Sequence, residues 1–413
     1  MQEPHMEFRR AELPNGLEIV AECSPGAYSA AFAFFVQTGA RDETDDVSGV
    51  SHFLEHMVFK GTHKRSATDV NRELDEIGSN SNAFTSEEQT VYHATVLPEY
   101  QNRVVELLSD ILRPALREDD FTTEKKVIIE EIAKYDDQPP YGAHDKCMSA
   151  FFSPHPLGRS ILGTAASIEA LTTDQMRGYF AARYSPSNIV LAAAGNIDFQ
   201  RLVADAAEWC GAWPRHDASR TTPRAASRAG FHLLRKDSAK QQYTLELAAF
   251  PAAADHDRFA ARLLSTIVGD DTGSRLFWEL VDTGEAEFCG MANYEYQGTG
   301  AFSTYLCCPP SEARELWSRM DAVLADVQVN GVTEEELERA KAKLCAQLIL
   351  SAERPSNRLF SVGNNWIQRG VYRTVRETVD LYRAVKLADL RRLLEAYPLT
   401  ARTTVTIGPL ENW

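Results

Sequence analysis

The order of predicted strands and helices in the first half of the chain is repeated in the second half. The strand-like segment AFAFFVQ precedes a helix around residue 52, and YTLELAA precedes a helix that begins near Asp257. Further along, FTTEKKVIIEEI is echoed by VTEEELERAKAKL, and GYFAARYSPSNIVLAAAGNI is echoed by RRLLEAYPLTARTTVTIGP. The repeat predicts an α+β fold of two homologous repeats, each a mostly antiparallel sheet with helices packed on one face.

The repeats are separated by a stretch with the composition of a linker. Residues 214–230 are rich in Pro, Ser, Thr and Arg and contain no apolar run. We therefore predict a first repeat at 1–213, a linker at 214–230 and a second repeat at 231–413. A chain of 413 residues is too long for one hydrophobic core and suits two domains of ordinary size.

Two histidines in the first repeat have the spacing of metal ligands. Residues 49–59 contain no proline, so a helix can run through His52 and His56, whose Cβ atoms would then lie about 5–6 Å apart. Both imidazoles could reach a zinc ion at about 2.0–2.1 Å. Glu55 lies on the adjoining strip of the helix, where a carboxylate can take a proton from metal-bound water. The order His-x-x-Glu-His is a zinc-peptidase signature, but five residues also match by chance, so the prediction depends on a third ligand.

A second predicted helix offers that ligand. Phe121–Tyr135 reads FTTEKKVIIEEIAKY, with Thr122 or Thr123 suited to the N-cap. Three apolar residues recur at helical spacing and predict an inward face: Val127, Ile128 and Ile132. Glu124 and Glu131 are two turns apart and share a face of this helix. Taken alone, two helical glutamates are more often solvated surface charges than ligands.

With these residues in this order, the chain resembles the inverted-zincin metallopeptidases of the pitrilysin type, which include insulin-degrading enzyme and the mitochondrial processing peptidase. It is most similar to the short two-domain members and to the β subunit of the processing peptidase. In that family the pentad is followed by a glutamate that completes the zinc site, and here Glu131 follows His56 with 74 residues between. The resemblance implies one zinc ion per chain, held by His52, His56 and Glu131. It also implies that Glu55 is the catalytic base and that Glu124 assists catalysis.

The resemblance extends to a strand that binds substrate. Residues 78–85, GSNSNAFT, and the EQTVY segment that follows are similar to the family's substrate-binding edge strand. It implies that a peptide adds as a further strand beside four residues: Asn82, Ala83, Phe84 and Thr85. We also expect Glu88 to orient a ligand histidine from behind. The resemblance covers the whole chain and is strongest over residues 12–200.

The second repeat lacks the metal ligands, because its helix at 257–268 contains no histidine. In the family, this repeat supplies an Arg and a Tyr that bind the substrate carbonyl. Aligned on residues 274–277, SRLF, those positions hold Val281 and Phe288, and neither can donate a hydrogen bond to an oxyanion, a contribution of about 3–4 kcal/mol. We therefore expect half of a clamshell dimer, with a homologous metal-free subunit that carries the Arg/Tyr pair. A homodimer and a slip in this alignment are the alternatives.

The predicted function is that of a zinc-dependent endopeptidase that cleaves peptides or unfolded segments and needs a partner subunit for full activity. The competing class is a non-catalytic interaction or core subunit of a peptidase-like complex, because one fold can serve both roles. A scaffold, however, has no need of the set His52, Glu55, His56 and Glu131. A zinc hydrolase of other substrates has no support beyond the metal ligands.

Composition agrees with a globular protein that binds neither nucleic acid nor membranes. A net charge of −16 opposes both nucleic acid and anionic lipid surfaces, and no apolar run is long enough to span a bilayer. The seven cysteines form an odd set without a C-x-x-C pair, which indicates reduced thiols. Because the first residues also lack the apolar core of a secretory signal, we expect a cytoplasmic protein.

Overall fold

The computed structural model describes residues 6–413, apart from the side chains of residues 139 and 141. The strands in this part of the chain are β1 (Glu7–Glu12), β2 (Glu18–Cys23), β3 (Ala30–Val36), β4 (Asn80–Thr85), β5 (Thr90–Val96), β6 (Ile189–Gly195), β7 (Gly230–Arg235), β8 (Gln242–Phe250), β9 (Phe288–Tyr296), β10 (Thr299–Cys308) and β11 (Arg402–Gly408). The α-helices are α1 (Val50–Val58), α2 (Ala67–Glu76), α3 (Gln101–Ile111), α4 (Glu118–Asp136), α5 (Pro139–Phe152), α6 (Ala165–Ala170), α7 (Thr173–Arg183), α8 (Phe199–Cys210), α9 (Arg258–Gly269), α10 (Ala313–Asn330), α11 (Glu334–Ser351), α12 (Pro355–Arg369), α13 (Val375–Ala384) and α14 (Leu387–Ala396).

Contacts divide the chain into two compact units, and each unit contains segments from both halves of the sequence. Unit 1 consists of the described residues up to 132, with 160–221 and 350–373. Unit 2 consists of 133–159, 222–349 and 374–413. The boundaries of these spatial units differ from those of the repeats predicted at 1–213 and 231–413. The repeats were defined by the order of elements along the sequence, and their boundaries remain a prediction. Residues 214–229 of the predicted linker form neither helix nor strand.

Unit 1 contains a six-stranded sheet in the order β1-β2-β6-β3-β5-β4. Strands β2 and β6 run parallel, and the other neighbouring pairs run antiparallel. The mostly antiparallel sheet predicted from the sequence is therefore confirmed. Strand β4 lies at one edge, with Ala83 opposite Tyr92 of β5.

Both faces of this sheet are covered, which goes beyond the single helical layer that the sequence predicted. Phe34 packs in the core that includes α1, α3 and α8, whereas Phe35 packs with Val362 of α12. A Cβ added at Gly363 would lie 2.2 Å from the Phe35 ring, so α12 approaches the sheet closely. The uninterrupted apolar run Ala30–Val36 is the signal for two buried faces, because a sheet with one wet face alternates apolar and polar residues.

A buried ion pair fixes α12 to the sheet of unit 1. Arg358 on the helix donates from Nε to Glu22 Oε1 at 2.7 Å, and the Tyr372 hydroxyl donates to Glu22 Oε2 at 2.7 Å. The Glu22 side chain is 2% exposed. Removing one partner from such a pair leaves a buried charge and typically costs about 3–5 kcal/mol. A helix from the second half of the sequence is thus an integral part of unit 1.

Unit 2 repeats this plan with a five-stranded sheet in the order β7-β11-β8-β10-β9. Strands β7 and β11 run parallel, and the other neighbours run antiparallel. Helix α5, from the first half of the sequence, packs on this sheet with Cys147 and Phe151 beside Leu247 and Val405. Each half of the chain therefore contributes one helix to the sheet of the other half. The two homologous repeats predicted from the sequence are confirmed at the level of the sheets.

The helix with the predicted third ligand starts earlier than expected. It begins at Glu118 and not at Thr122 or Thr123. The acidic residues 118–120 lie in its first turn, where the positive end of the helix dipole stabilises them. Ile128 and Ile132 are buried as predicted, whereas Val127 is 44% exposed.

Within residues 6–413, no helix is long and apolar enough to cross a bilayer.

Candidate metal centre and adjoining edge strand

Helix α1 carries the predicted histidine pair, and a buried glutamate holds its first turn. The rings of His52 and His56 lie with centroids 4.7 Å apart at an interplanar angle of 67°. Gly49 precedes the helix with φ of +91°, a left-handed conformation that favours glycine. The Glu43 carboxylate accepts hydrogen bonds from the Gly49 and Ser51 backbone N–H groups at 2.7 and 2.8 Å. Glu43 therefore caps α1 and places a negative charge at its N-terminus.

Glu131 of α4 reaches the same point in space as the two histidines. Its Oε2 lies 3.8 Å from His52 Nε2 and 3.6 Å from His56 Nε2. The three ligand atoms all lie within 4.8 Å of one another. Ligand atoms at about 2.0–2.1 Å from a tetrahedral zinc ion are roughly 3.3–3.5 Å apart, so this nitrogen and oxygen set fits zinc with small adjustments. The structure brings together the three residues that the sequence predicted as ligands.

His52 is held in the form that a metal requires. Burial, with a smaller contribution from neighbouring His56, lowers the pKa of His52 to about 3, so the imidazole is neutral at physiological pH. A neutral imidazole is the state that donates a lone pair to zinc. Its Nδ1 atom is buried and has no hydrogen-bond partner within the described part of the chain.

Glu124 lies behind His56 and positions its ring. Glu124 Oε1 is 2.9 Å from His56 Nδ1, and Oε2 is 2.6 Å from Lys60 Nζ. When Nδ1–H donates to Glu124, the free lone pair of the ring is on Nε2, which lies on the Glu131 side. Burial raises the pKa of Glu124, but the hydrogen bonds from Lys60 and His56 outweigh it and leave the pKa below its usual value. The resemblance implied that Glu124 assists catalysis, and this contact places its carboxylate behind a candidate ligand.

Glu88, which we expected to orient a ligand histidine, is paired with an arginine. Glu88 lies in the turn between β4 and β5, and its carboxylate pairs with Arg41 at 2.5 Å. Both side chains are buried, at 5% and 3% exposure, so each compensates the charge of the other. The Arg41 guanidinium holds the Glu88 carboxylate, and the role expected for Glu88 behind a ligand histidine stays a prediction.

Glu55, the predicted base, is tied to the edge strand β4. Its Oε2 accepts a hydrogen bond from Thr85 Oγ1 at 2.7 Å, and burial raises the pKa of the carboxyl group. Of the four residues predicted to bind substrate, Thr85 therefore lies next to the candidate catalytic group. Phe84 is 36% exposed and packs near Phe360 of α12, so its side chain lies on the other face of the sheet.

One backbone N–H group of β4, that of Ala83, is hydrogen-bonded to the side chain of the preceding residue. Ala83 is buried, whereas Asn82 is exposed, and Asn82 Oδ1 accepts the Ala83 N–H at 2.9 Å. A peptide carbonyl that approached this N–H would have to replace the Asn82 amide oxygen. The four predicted substrate residues thus share one edge strand but contribute unequally to the space beside Glu55.

A duplicated mixed α/β fold with His-x-x-Glu-His on one helix and a glutamate on a second helix defines a metallopeptidase class. The chain belongs to peptidase family M16, the insulinase family. Residues 18–165 match the family description "Insulinase (Peptidase family M16)", and residues 170–344 match "Peptidase M16 inactive domain". The latter agrees with α9, which occupies the place of the ligand helix in the second half and contains no histidine.

Relatives extend over nearly the full chain. An uncharacterized zinc protease of Mycobacterium leprae is 34% identical over 97% of this chain and 91% of the relative. The Bacillus subtilis protein YmxG, also named an uncharacterized zinc protease, is 32% identical over 94% of each chain. Zinc-protease relatives at this identity and the family match together support zinc as the metal of the centre.

Solved structures confirm the two-domain fold. A protease from Helicobacter pylori superimposes with a TM-score of 0.91 at 22% identity, over 98% of this chain and 100% of that chain. A chain of complex III from Candida albicans superimposes with a TM-score of 0.84 at 17% identity, over 98% and 97% of the two chains. Likeness at these identities shows the fold alone, so activity has to be argued from the site.

Proposed function

We propose that the chain is a zinc-dependent endopeptidase that cleaves peptides or unfolded segments bound as an added strand along β4. The observation that carries this proposal is the convergence of His52 Nε2, His56 Nε2 and Glu131 Oε2 within 4.8 Å, with Glu55 one turn away on the same helix. Three protein ligands leave the fourth position of a tetrahedral zinc ion open, as a catalytic site requires. The single ligand group found among the described residues supports one zinc ion per chain.

When bound, zinc would polarise the scissile carbonyl and increase the acidity of a water molecule. Glu55 then acts as the general base: it accepts the proton of the attacking water and delivers it to the departing amine. Its contact with Thr85 orients the carboxylate towards the strand beside which the peptide lies. Glu124 and Lys60 hold the His56 ring, and Glu43 holds the start of α1.

The edge position of β4 supports binding of the peptide as a strand. Outward backbone groups of an edge strand pair with any extended peptide, and this explains affinity without strict sequence requirements. Asn82 can release the Ala83 N–H by rotation about its side-chain bonds, and the peptide carbonyl then takes its place. Thr85, at the end of the same strand, sets the scissile bond beside Glu55.

Glu124→Gln tests the positioning role. We expect zinc to be retained and turnover to fall by about 10–100-fold, because a partner behind a metal ligand contributes roughly that much. The loss should appear in kcat more than in KM, since Glu124 acts through His56 and does not touch the peptide. Steady-state kinetics with zinc analysis of the same samples measures both. The matched control is Glu130→Gln, an exposed glutamate on the same helix, and equal kinetics for the two variants would contradict this role.

We also propose that a second subunit completes the electrophilic half of the site. Val281 is a partly buried residue at the end of the helical turn Phe277–Val281, and Phe288, at the start of β9, is 40% exposed. Neither side chain can donate a hydrogen bond, so this chain lacks donors at the positions aligned with the family's Arg and Tyr. A homologous metal-free subunit with that pair is favoured over a second copy of this chain.

Peptidase assays with and without a partner decide between these assemblies. The isolated chain should cleave a peptide library weakly, and a co-encoded homologue with the Arg/Tyr pair should raise the rate by about 10²–10³-fold, the usual contribution of one oxyanion donor. Mass measurement in solution identifies the assembly that forms. Full activity of this chain as a homodimer would rule out the heterodimer, whereas a chain that binds no zinc and cleaves nothing would indicate an interaction subunit.

A further inference from the structure

The segment between the two predicted repeats places an arginine in the interior of unit 1. Arg220 belongs to the predicted linker at 214–230 and to a part of it that forms neither helix nor strand. Its side chain is nevertheless only 7% exposed. Arginine is rarely buried unless its charge is paired, so the partners of Arg220 indicate what the linker does in unit 1.

The Nη2 atom of Arg220 links two segments that are far apart in the sequence. It donates to Asp42 Oδ2 at 2.7 Å and to the backbone carbonyl of Glu88 at 2.6 Å. Asp42 ends the 3₁₀ turn Ala40–Asp42, and Glu88 lies in residues 86–89, the β4–β5 turn. Hydrogen bonds from an ionised donor are roughly twice as strong as neutral ones. Arg220 therefore fastens the β4–β5 turn to the segment around Asp42.

These two segments are also in direct backbone contact. The Ala40 N–H donates to the Ser86 carbonyl at 3.2 Å. The Arg41 N–H donates to the Glu87 carbonyl at 2.8 Å. A Cβ added at Gly39 would lie 2.2 Å from the Ser86 carbonyl oxygen, so only glycine permits this approach. The position of the β4–β5 turn is thus set by contacts outside its own hairpin.

The β4–β5 turn adjoins the candidate base. Thr85, the last residue of β4, directly precedes the turn and donates to Glu55 Oε2 at 2.7 Å. At the other end of the turn, Gln89 Nε2 donates to Asn364 Oδ1 of α12 at 2.8 Å. A displacement of the turn would therefore move the end of β4 and the hydroxyl that orients Glu55.

The linker is anchored independently of the Arg220 side chain. Arg183 of α7 donates from Nη1 to the Ala218 carbonyl at 2.7 Å and from Nη2 to Asp42 Oδ1 at 3.0 Å. Asp42 thus accepts from one arginine on each of its two oxygens. Removal of the Arg220 side chain leaves the linker attached at Ala218 and leaves Asp42 paired, so we expect such a variant to fold.

We propose that Arg220 is a positioning residue for the substrate strand, which fixes the β4–β5 turn and thereby the edge of β4 and the contact of Thr85 with Glu55. This inference rests on the proposed function, in which a peptide binds along β4. A strand that is already ordered binds a peptide more tightly than a mobile one, because its backbone entropy is not lost on binding. Ordering the backbone of one residue on binding corresponds to about a tenfold loss of affinity.

Arg220→Ala in the full chain tests the inference by two measurements. Hydrogen exchange followed by mass spectrometry should be faster over residues 80–96, which contain β4, the turn and β5, and unchanged elsewhere in unit 1. Steady-state kinetics should show a KM raised about tenfold, with the zinc content unaltered. A smaller folded fraction would lower kcat and leave KM unchanged, so the rise in KM is specific to positioning. Arg228→Ala, at an exposed arginine of the same linker, is the matched control and should match the unaltered chain in both measurements.

The two measurements separate this inference from the proposed activity. Equal exchange over residues 80–96 in Arg220→Ala and the unaltered chain would overturn it, and so would faster exchange over the whole chain. An unchanged KM in a chain that cleaves peptides would also overturn it. A chain that cleaves no peptide would disprove the endopeptidase, and hydrogen exchange would still decide whether Arg220 fixes the strand.

Discussion

Replacing His56 with alanine is expected to leave the chain folded and to weaken zinc binding by more than about a hundredfold. The loss of a hydrogen-bond partner behind a ligand typically costs about 10–100-fold in metal affinity or activity, and the loss of a ligand itself costs more in affinity. In this variant only His52 Nε2 and Glu131 Oε2 remain, 3.8 Å apart, and two ligands do not enclose the ion. Competition with a chromophoric chelator measures the affinity, and elemental analysis gives the zinc content of the purified protein.

Two further variants make this measurement specific. Glu131→Gln should also lower zinc affinity, because an amide oxygen is a weaker ligand than a carboxylate. His232→Ala removes an exposed histidine of unit 2 and should leave the zinc content at one ion per chain. Undiminished zinc in His56→Ala, with thermal unfolding unchanged, would show that the ion binds elsewhere and would remove the basis of the proposed activity.

Local geometry explains which parts of the fold the sequence could predict. The helices around His52 and Glu131 were predictable because helical periodicity depends on residues a few positions apart. The repeat of strands and helices likewise indicated two sheets. The exchange of α5 and α12 was not predictable in this way, because no local pattern states which sheet a helix will cover. The apolar run Ala30–Val36 did signal a second covered face, but not the identity of the cover.

In the candidate site, too, features within one helix were predictable from the sequence, whereas contacts between distant helices were not. Spacing within one helix placed His52, Glu55 and His56 correctly, but the approach of Glu131 is a contact between helices far apart in the sequence. The prediction that Glu131 is the third ligand came from the family resemblance. Glu124 and Glu88 are both glutamates near the motifs, and their partners could not be predicted from the sequence. The structure shows that Glu88 pairs with Arg41 and that Glu124 contacts the His56 ring. Glu43 was missed because a loop residue that caps a helix from six positions upstream has no sequence signature.

Glu55→Gln is expected to retain the fold and the zinc ion while turnover falls by about 10²–10⁴-fold or more, the usual contribution of a positioned general base. Glutamine has nearly the shape of glutamate, and its amide oxygen can still accept the hydrogen bond that Thr85 now donates to Glu55. The variant cannot accept the proton of the attacking water, so the loss should appear in kcat with little change in KM. Steady-state kinetics on a peptide substrate, with zinc analysis of the same sample, separates loss of the base from loss of the metal.

Glu130→Gln, which alters an exposed glutamate of α4, should retain both activity and zinc. Peptide cleavage at the unaltered rate by Glu55→Gln would show that another group accepts the proton, and the mechanism proposed for this chain would then be wrong.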